Sequence, residues 1–292
     1  MYRTRTCSGL APDDEDNLSV MGRFGRDILS FGAKPRNLSL FPNLHESRYS
    51  STTFRVRKTP LGMTAGKQRL LLWDIDGTLI STGAAGQRAI VLATAQRFGG
   101  SGDLEGVEIA GRTDTSIAHQ ILAKYGEPIA EESTRLFLKL YLELLAHELP
   151  RSKGRVMPGV LELLQRAEHR PDIILGLLTG NLRRGAQLKL EHYQLWHFFA
   201  FGAFADDHHD RNELGAFALT RVRERCGEEF LPAQVDVIGD TGHDIACGKA
   251  FGARTIAIAT GSWPRERLAE YAPDFLFDDF SHVDHVISTL GW

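Results

Sequence analysis

Leu70-Leu71-Leu72-Trp73 runs straight into Asp74-Ile75-Asp76-Gly77-Thr78-Leu79-Ile80. The apolar run is too short for a buried helix and has no polar face, so it predicts a strand covered on both sides. Such strands belong to parallel sheets flanked by helices, where ligands gather outside the carboxyl ends of the strands. Asp74 and Asp76 stand at that end. As i and i+2 on a continuing strand they project to the same side, and Gly77 permits a tight turn just beyond. Two carboxylates 4 Å apart repel by about 4 kcal/mol at an effective dielectric near 20. A bound divalent cation or a shared proton offsets that repulsion.

The pattern downstream alternates strand and helix. Apolar runs at Ile173–Leu178, Phe198–Phe204, Val235–Ile238, Thr255–Ala259 and Phe275–Phe277 predict strands. Helices are expected over Val160–His169, from Asn181 to about Tyr193, over Glu213–Cys226 and up to Phe251. This order predicts an α/β fold with a doubly wound, Rossmann-like parallel sheet. Residues 81–154 break the alternation. A small-residue turn, Ser81 to Gly86, leads into a helix ending near Phe98, and Gly99-Gly100-Ser101-Gly102 stops it. A second helix, capped by Thr113 or Asp114, runs to Lys124. Leu136, Phe137, Leu140, Leu144 and Leu145 place a wide apolar stripe on a third, which Pro150 ends. The stretch predicts an all-helical insert after the first strand.

Polar residues follow four of the strand ends: Asp74 and Asp76; Thr179-Gly180-Asn181; Arg211, in the loop after the third strand; and Gly239-Asp240 with Asp244. In this order, with Asp74-Ile-Asp76-Gly-Thr-Leu first, the chain resembles the haloacid dehalogenase-like hydrolase superfamily over about residues 67–292. The resemblance implies a core of residues 67–80 and 155–292 with 81–154 as a small helical cap. It also implies a phosphatase similar to phosphoglycolate phosphatases, with Mg²⁺ as cofactor and a small phosphorylated metabolite as substrate. Asp74 would be the nucleophile, forming an aspartyl-phosphate. Asp76 would be the general acid and then the base, its main-chain carbonyl also binding metal. Thr179 and the N–H groups of Gly180 and Asn181 would hold a phosphate oxygen. Arg211 stands where most relatives have lysine, and would neutralise the phosphoryl group. Asp240 and Asp244 would complete the metal site with Asp74. In the insert, Gly111-Arg112-Thr113-Asp114 resembles the loop that faces the active site in capped enzymes, which makes Arg112 a candidate substrate contact.

Competing readings stay open at this point. A sugar-phosphate mutase shares all four motifs. Asp76 and Asp240 argue against a dehalogenase, and residues 103–114 lack the cap lysine of a phosphonate hydrolase. A non-catalytic phospholigand-binding regulator is the alternative outside catalysis. Lys189 competes with Arg211 as the site's cation, but its mid-helix position reads as a solvated face. Asp206-Asp207-His208-His209 likewise reads as a solvated loop, because adjacent residues seldom converge on one metal.

A net charge of −3 gives no basic excess for nucleic acid, and no apolar run is long enough to span a bilayer. Cys7, Cys226 and Cys247 lack metal-ligand spacing, which reads as reduced thiols in a cytoplasmic protein. Residues 1–66 are rich in Ser, Thr, Arg, Gly and Pro, carry Asp13-Asp14-Glu15-Asp16 and show no sustained period. They are expected to be largely disordered, or to precede a translation start at Met63. Arg3 and Arg5 fit a targeting peptide, but the acidic cluster argues against one.

Overall fold

The computed structural model describes residues 68–292. The expectations for residues 1–66 lie outside the described residues.

β1 (Arg69–Trp73) is the buried strand read from the sequence. Leu71 and Trp73 face one apolar cluster, and Leu70 and Leu72 the other. A strand buried on both faces needs helices on both sides. The chain continues through β2 (Ile80–Ser81), α1 (Ala85–Phe98), α2 (Asp114–Lys124), α3 (Glu131–Glu148), β3 (Arg155–Val156) and α4 (Val160–Glu168). Next come β4 (Ile173–Leu178), α5 (Arg183–His192), β5 (Gly202–Ala203), α6 (Leu214–Cys226) and β6 (Val235–Gly239). It ends with α7 (Gly242–Ala250), β7 (Arg254–Ile258), α8 (Arg265–Glu270), β8 (Phe275–Phe277) and α9 (Val283–Leu290).

Among the described residues the main sheet has the order β5-β4-β1-β6-β7-β8, with every pair parallel. The chain builds outward from β1 through β4 to β5, then crosses to the other side for β6, β7 and β8. That reversal opens a crevice at the carboxyl ends of β1, β4 and β6.

The opposite end of the sheet is tied by one buried carboxylate. Asp236, on β6, accepts paired hydrogen bonds from Arg69 on β1 and Arg254 on β7 at 2.5–2.9 Å. It also accepts one from Trp292 Nε1 at 2.7 Å.

α1, α2 and α3 pack on one another through Ala89, Ala93, Ile117, Ile121, Phe137 and Tyr141, forming an apolar cluster separate from the sheet. The small residues Ala85, Ala89 and Ala93 let α1 approach α3 closely. At the base of the insert Ile80 and Ser81 pair antiparallel with Val156 and Arg155, because the chain leaves and re-enters the core side by side. One of the sequence expectations needs correction. The strand expected over Phe198–Phe204 shrinks to Gly202–Ala203, after a 3₁₀ turn at Trp196–Phe198. Phe198, Phe199, Phe201 and Phe204 are all buried. Their apolar run reflects packing under the sheet edge, where few ladder bonds are made.

Candidate active site

The site is built where β1, β4 and β6 end. The Asp74 N–H still donates to Ile238 O at 2.9 Å, so ladder pairing carries the nucleophile candidate one step past β1. The chain then folds back, with the Ile75 carbonyl accepting from the N–H groups of Thr78, Leu79 and Ile80. Gly77 makes the turn at φ +85°, and a Cβ there would meet the Asp240 carboxylate. Thr78 Oγ1 donates to Asp240 Oδ1 at 3.0 Å. Asp244 lies in the first turn of α7, where its Oδ2 accepts from the Thr241 N–H at 3.0 Å and hydroxyl at 2.7 Å. This N-terminal cap fixes the carboxylate's direction.

The carboxylates of Asp74, Asp240 and Asp244 are buried, with ligand atoms all within 4.8 Å of one another. Arg211 is inserted among them. Its Nη2 donates to Asp74 Oδ1 at 2.8 Å and also to Asp244 Oδ1. Burial, together with Asp244 and Asp76, pushes Asp74 up to about 7 despite Arg211. Burial and the charges of Asp244 and Asp74 raise Asp240 well above the carboxylate range. For Arg211, burial opposes the charge, but Asp244 and Asp74 outweigh it and hold the guanidinium protonated. One guanidinium among three buried carboxylates leaves negative charge uncompensated. A cluster of oxygen donors with that deficit fits a hard divalent cation.

Asp76 has a different environment. Its side chain is 41% exposed and lies at the cavity. Its Oδ2 accepts from Lys189 Nζ at 2.5 Å and from Asn181 Nδ2 at 2.9 Å. The reading of Lys189 as a solvated residue is therefore overturned: it is 3% exposed. Gly185, Ala186, Lys189 and Leu190 form the buried face of α5. The lysine shares that face by helical spacing, a signal that was available in the sequence.

Thr179 is fully buried after β4, and its hydroxyl accepts from the Asn181 N–H and Nδ2. Gly180 and Asn181 line the cavity beside it. Thr113, not Asp114, caps α2, accepting from the Ser116 N–H at 3.1 Å. Asp114 instead accepts from the Leu182 N–H at 2.8 Å, joining the helical insert to the core. Burial pushes its carboxyl up to about 6, against the pull of Lys189.

Arg112 reaches the cavity, paired through Nε to Glu108 Oε2 at 2.8 Å. Glu108 Oε1 lies 3.2 Å from His243 Nε2 on α7. Arg211 Nη1 donates to Gly111 O at 3.0 Å, so the loop carrying Arg112 is docked on the edge that bears the carboxylates. The cavity beneath has a volume of about 450 Å³ and exposes Asp74, Asp76, Arg112, Lys189, Arg211 and Asp240. That size suits a small ligand. In the polar loop, Asp206 accepts from the Arg183 N–H, and Asp207 pairs with Arg221.

A family model described as haloacid dehalogenase-like hydrolase matches residues 71–258. The chain belongs to this family. A relative named Probable phosphatase IndB, from Dickeya dadantii (strain 3937), is 26% identical over 73% of this chain and 91% of its own length. The phosphoglycolate phosphatase of Aliivibrio fischeri (strain ATCC 700601 / ES114) is 24% identical over 75% of this chain and 96% of its own. CbbY from Rhodobacter sphaeroides, solved in complex with phosphate, superposes with a TM-score of 0.58 at 18% identity, covering 74% of this chain and 96% of that one. The last likeness is one of fold. In this hydrolase the motif residues named from the sequence converge at one edge of the sheet. Thr78, Glu108 and His243 are the site residues that sequence reasoning passed over, and Lys189 is the one it weighed and set aside.

Proposed function

We propose that this hydrolase is a Mg²⁺-dependent phosphatase that cleaves a small phosphomonoester through an aspartyl-phosphate on Asp74. The observation that carries the reading is the separation of two carboxylates only two residues apart. Asp74 is buried against Arg211 at 2.8 Å, whereas Asp76 stands apart from the buried carboxylates and opens to the cavity. A nucleophile and an acid–base need that difference in surroundings. The phosphatase names of the relatives support the same chemistry.

The roles follow from position. Asp74 attacks the phosphorus, and the P–O bond to the leaving group breaks. Asp76 gives its proton to the leaving oxygen, then takes one from the water that cleaves the aspartyl-phosphate. Arg211 holds Asp74 in place and balances charge on the phosphoryl oxygens. Gly180 and Asn181 line the wall that would receive those oxygens, and Thr179, buried behind them, holds Asn181 through its hydroxyl. Asp74, Asp240, Asp244 and the Asp76 carbonyl would hold Mg²⁺. When bound, the ion supplies charge neutralisation at the phosphoryl group.

Residues 81–154 act as the cap on a core of 67–80 and 155–292. By closing the cavity they exclude water and present Arg112 to the remainder of the substrate. A second anion on that remainder would pair with Arg112. A cytoplasmic location fits a metabolite hydrolase of this kind. No helix among the described residues is long and apolar enough to cross a membrane.

The test is hydrolysis of p-nitrophenyl phosphate by the full chain, with Mg²⁺ and with chelator, beside Asp74→Asn. Turnover that needs Mg²⁺ and vanishes in the variant is expected. Near-normal turnover in Asp74→Asn refutes the mechanism. A panel of phosphorylated metabolites then identifies the substrate.

A further inference from the structure

We propose that Lys189, acting with Asn181, is a positioning residue that fixes which oxygen of Asp76 carries the catalytic proton. The inference rests on the phosphatase reading and assigns a role to a residue that reading leaves unused.

Both donors reach the same atom. Lys189 Nζ and Asn181 Nδ2 each donate to Asp76 Oδ2. Among the described residues, none donates to Oδ1. The two donors are themselves locked together, since Lys189 Nζ also donates to Asn181 Oδ1 at 2.5 Å. Asn181 Nδ2 donates in addition to Thr179 Oγ1 at 2.9 Å. Lysine has only donors, so the Asn181 oxygen must face it and the amide must face Asp76. The orientation of Asn181 is thereby set by Lys189.

The carboxylate is held as a result with Oδ2 occupied as an acceptor and Oδ1 unclaimed. A carboxyl whose Oδ2 receives an ammonium and an amide N–H cannot also hold a proton there without losing one of them. The exchangeable proton belongs on Oδ1. In the first half-reaction the Asp74–phosphorus bond forms, the ester P–O bond breaks, and the Oδ1 proton passes to the leaving oxygen. In the second, water oxygen bonds to phosphorus, the Asp74–phosphorus bond breaks, and the water proton returns to Oδ1. Protons balance over the cycle.

Lys189 can serve this purpose because α5 delivers it from below, where the cap covers it. It is buried, and Gly86 on α1 faces it from the cap: a Cβ there would lie in ordinary contact with Nζ, at 3.6 Å.

A group that positions an acid matters in proportion to how much the leaving group needs a proton. The experiment compares kcat/KM of the full chain, with Mg²⁺, on p-nitrophenyl phosphate and benzyl phosphate. The p-nitrophenolate leaves without a proton, whereas the benzyl alkoxide requires one. Lys189→Met should lower kcat/KM for benzyl phosphate about 100-fold, the lower range of general acid catalysis. For p-nitrophenyl phosphate the loss in kcat/KM should stay under about 5-fold, while kcat falls further because the second half-reaction still uses Asp76. Lys189→Gln retains a donor and the site's volume, so it should fall between. It also carries the comparison if the methionine variant does not fold. In an Asp76→Asn background, Lys189→Met should cost nothing more, because it acts through Asp76.

Equal loss on both esters, no loss on either, or a full additional loss in the Asp76→Asn background overturns the assignment while the phosphatase reading stands. Failure of the wild-type protein to hydrolyse either ester overturns both.

Discussion

The buried carboxylates at the carboxyl edge of the sheet set a stability profile that runs opposite to ordinary acid denaturation. Asp74 has an ordinary value of 3.8 and is pushed up to about 7 in the folded protein, first by burial. A folded carboxyl with a raised pKa binds more protons than the unfolded chain between those two values. Stability therefore declines as pH rises through that window. At about 1.4 kcal/mol per pH unit, the Asp74 displacement costs about 4 kcal/mol by pH 8. Asp240 and Asp114 are displaced in the same direction and add to the decline. The lowered carboxyls, Asp103, Glu108 and Glu148, gain their stability below pH 5 and do not offset the decline above it. Between pH 5 and pH 8 only the part from 5 to about 7 counts, about 3 kcal/mol; at about 2–4 °C per kcal/mol for a domain of this size, the metal-free protein should lose about 5–10 °C. Mg²⁺, bound as proposed, would neutralise the same carboxylates. Saturating Mg²⁺ should raise Tm most at pH 8 and least at pH 5, flattening the profile. Differential scanning fluorimetry across pH, with EDTA or Mg²⁺, measures this directly. Metal-free Asp74→Asn should melt above the wild type at pH 8 and near it at pH 5. A chelated wild type whose Tm is flat or rises from pH 5 to 8 refutes the reasoning, as does a Mg²⁺ shift that does not depend on pH.

Three further outcomes follow from single contacts. Gly261→Ala would place a Cβ on the Asp240 carboxylate, so it should weaken Mg²⁺ activation at least 10-fold by titration while the metal-free protein still folds. Arg112→Ala should cut kcat/KM by about 10- to 100-fold on 2-phosphoglycolate, which has a second anion, and scarcely affect p-nitrophenyl phosphate; equal losses on both would remove Arg112 from specificity. Asp236→Ala leaves Arg69 and Arg254 without their shared buried partner and should lower stability by about 3–5 kcal/mol in urea melts, with kcat/KM of the folded enzyme retained.

Much of the site could be read from the sequence because its residues sit beside strong local signals. Asp74 and Asp76 follow a four-residue apolar run, and Asp240 and Asp244 follow the strand Val235-Asp-Val-Ile across a glycine. Strand ends are where parallel sheets place ligands, so the pattern alone carried these residues to one edge. Lys189 was misread because α5 is mostly polar, so the face of Gly185, Ala186, Lys189 and Leu190, though spaced as a buried one, carries little apolar signal. The Glu108–His243 contact joins residues far apart in sequence, with no local pattern to announce it. The β5 expectation failed for a different reason. Burial and strand pairing produce the same apolar composition, and at a sheet edge the phenylalanines satisfied the first with little of the second. Asp236 was passed over inside Val235-Asp-Val-Ile, although a charge within a buried strand needs a partner.

The clamp on Asp236 and the crowded acids at the other end of the sheet divide one scaffold into a settled end and a frustrated one. Arg69, Arg254 and Trp292 converge on a charge that is fully answered. Asp74, Asp240 and Asp244 converge with their charge only partly answered. A cell would experience damage at the two ends differently. A lesion at the clamp would surface as lower abundance, through chaperone and protease triage of a protein whose chemistry is sound. A lesion among the acids would leave abundance intact, or even raise it, with the chemistry gone.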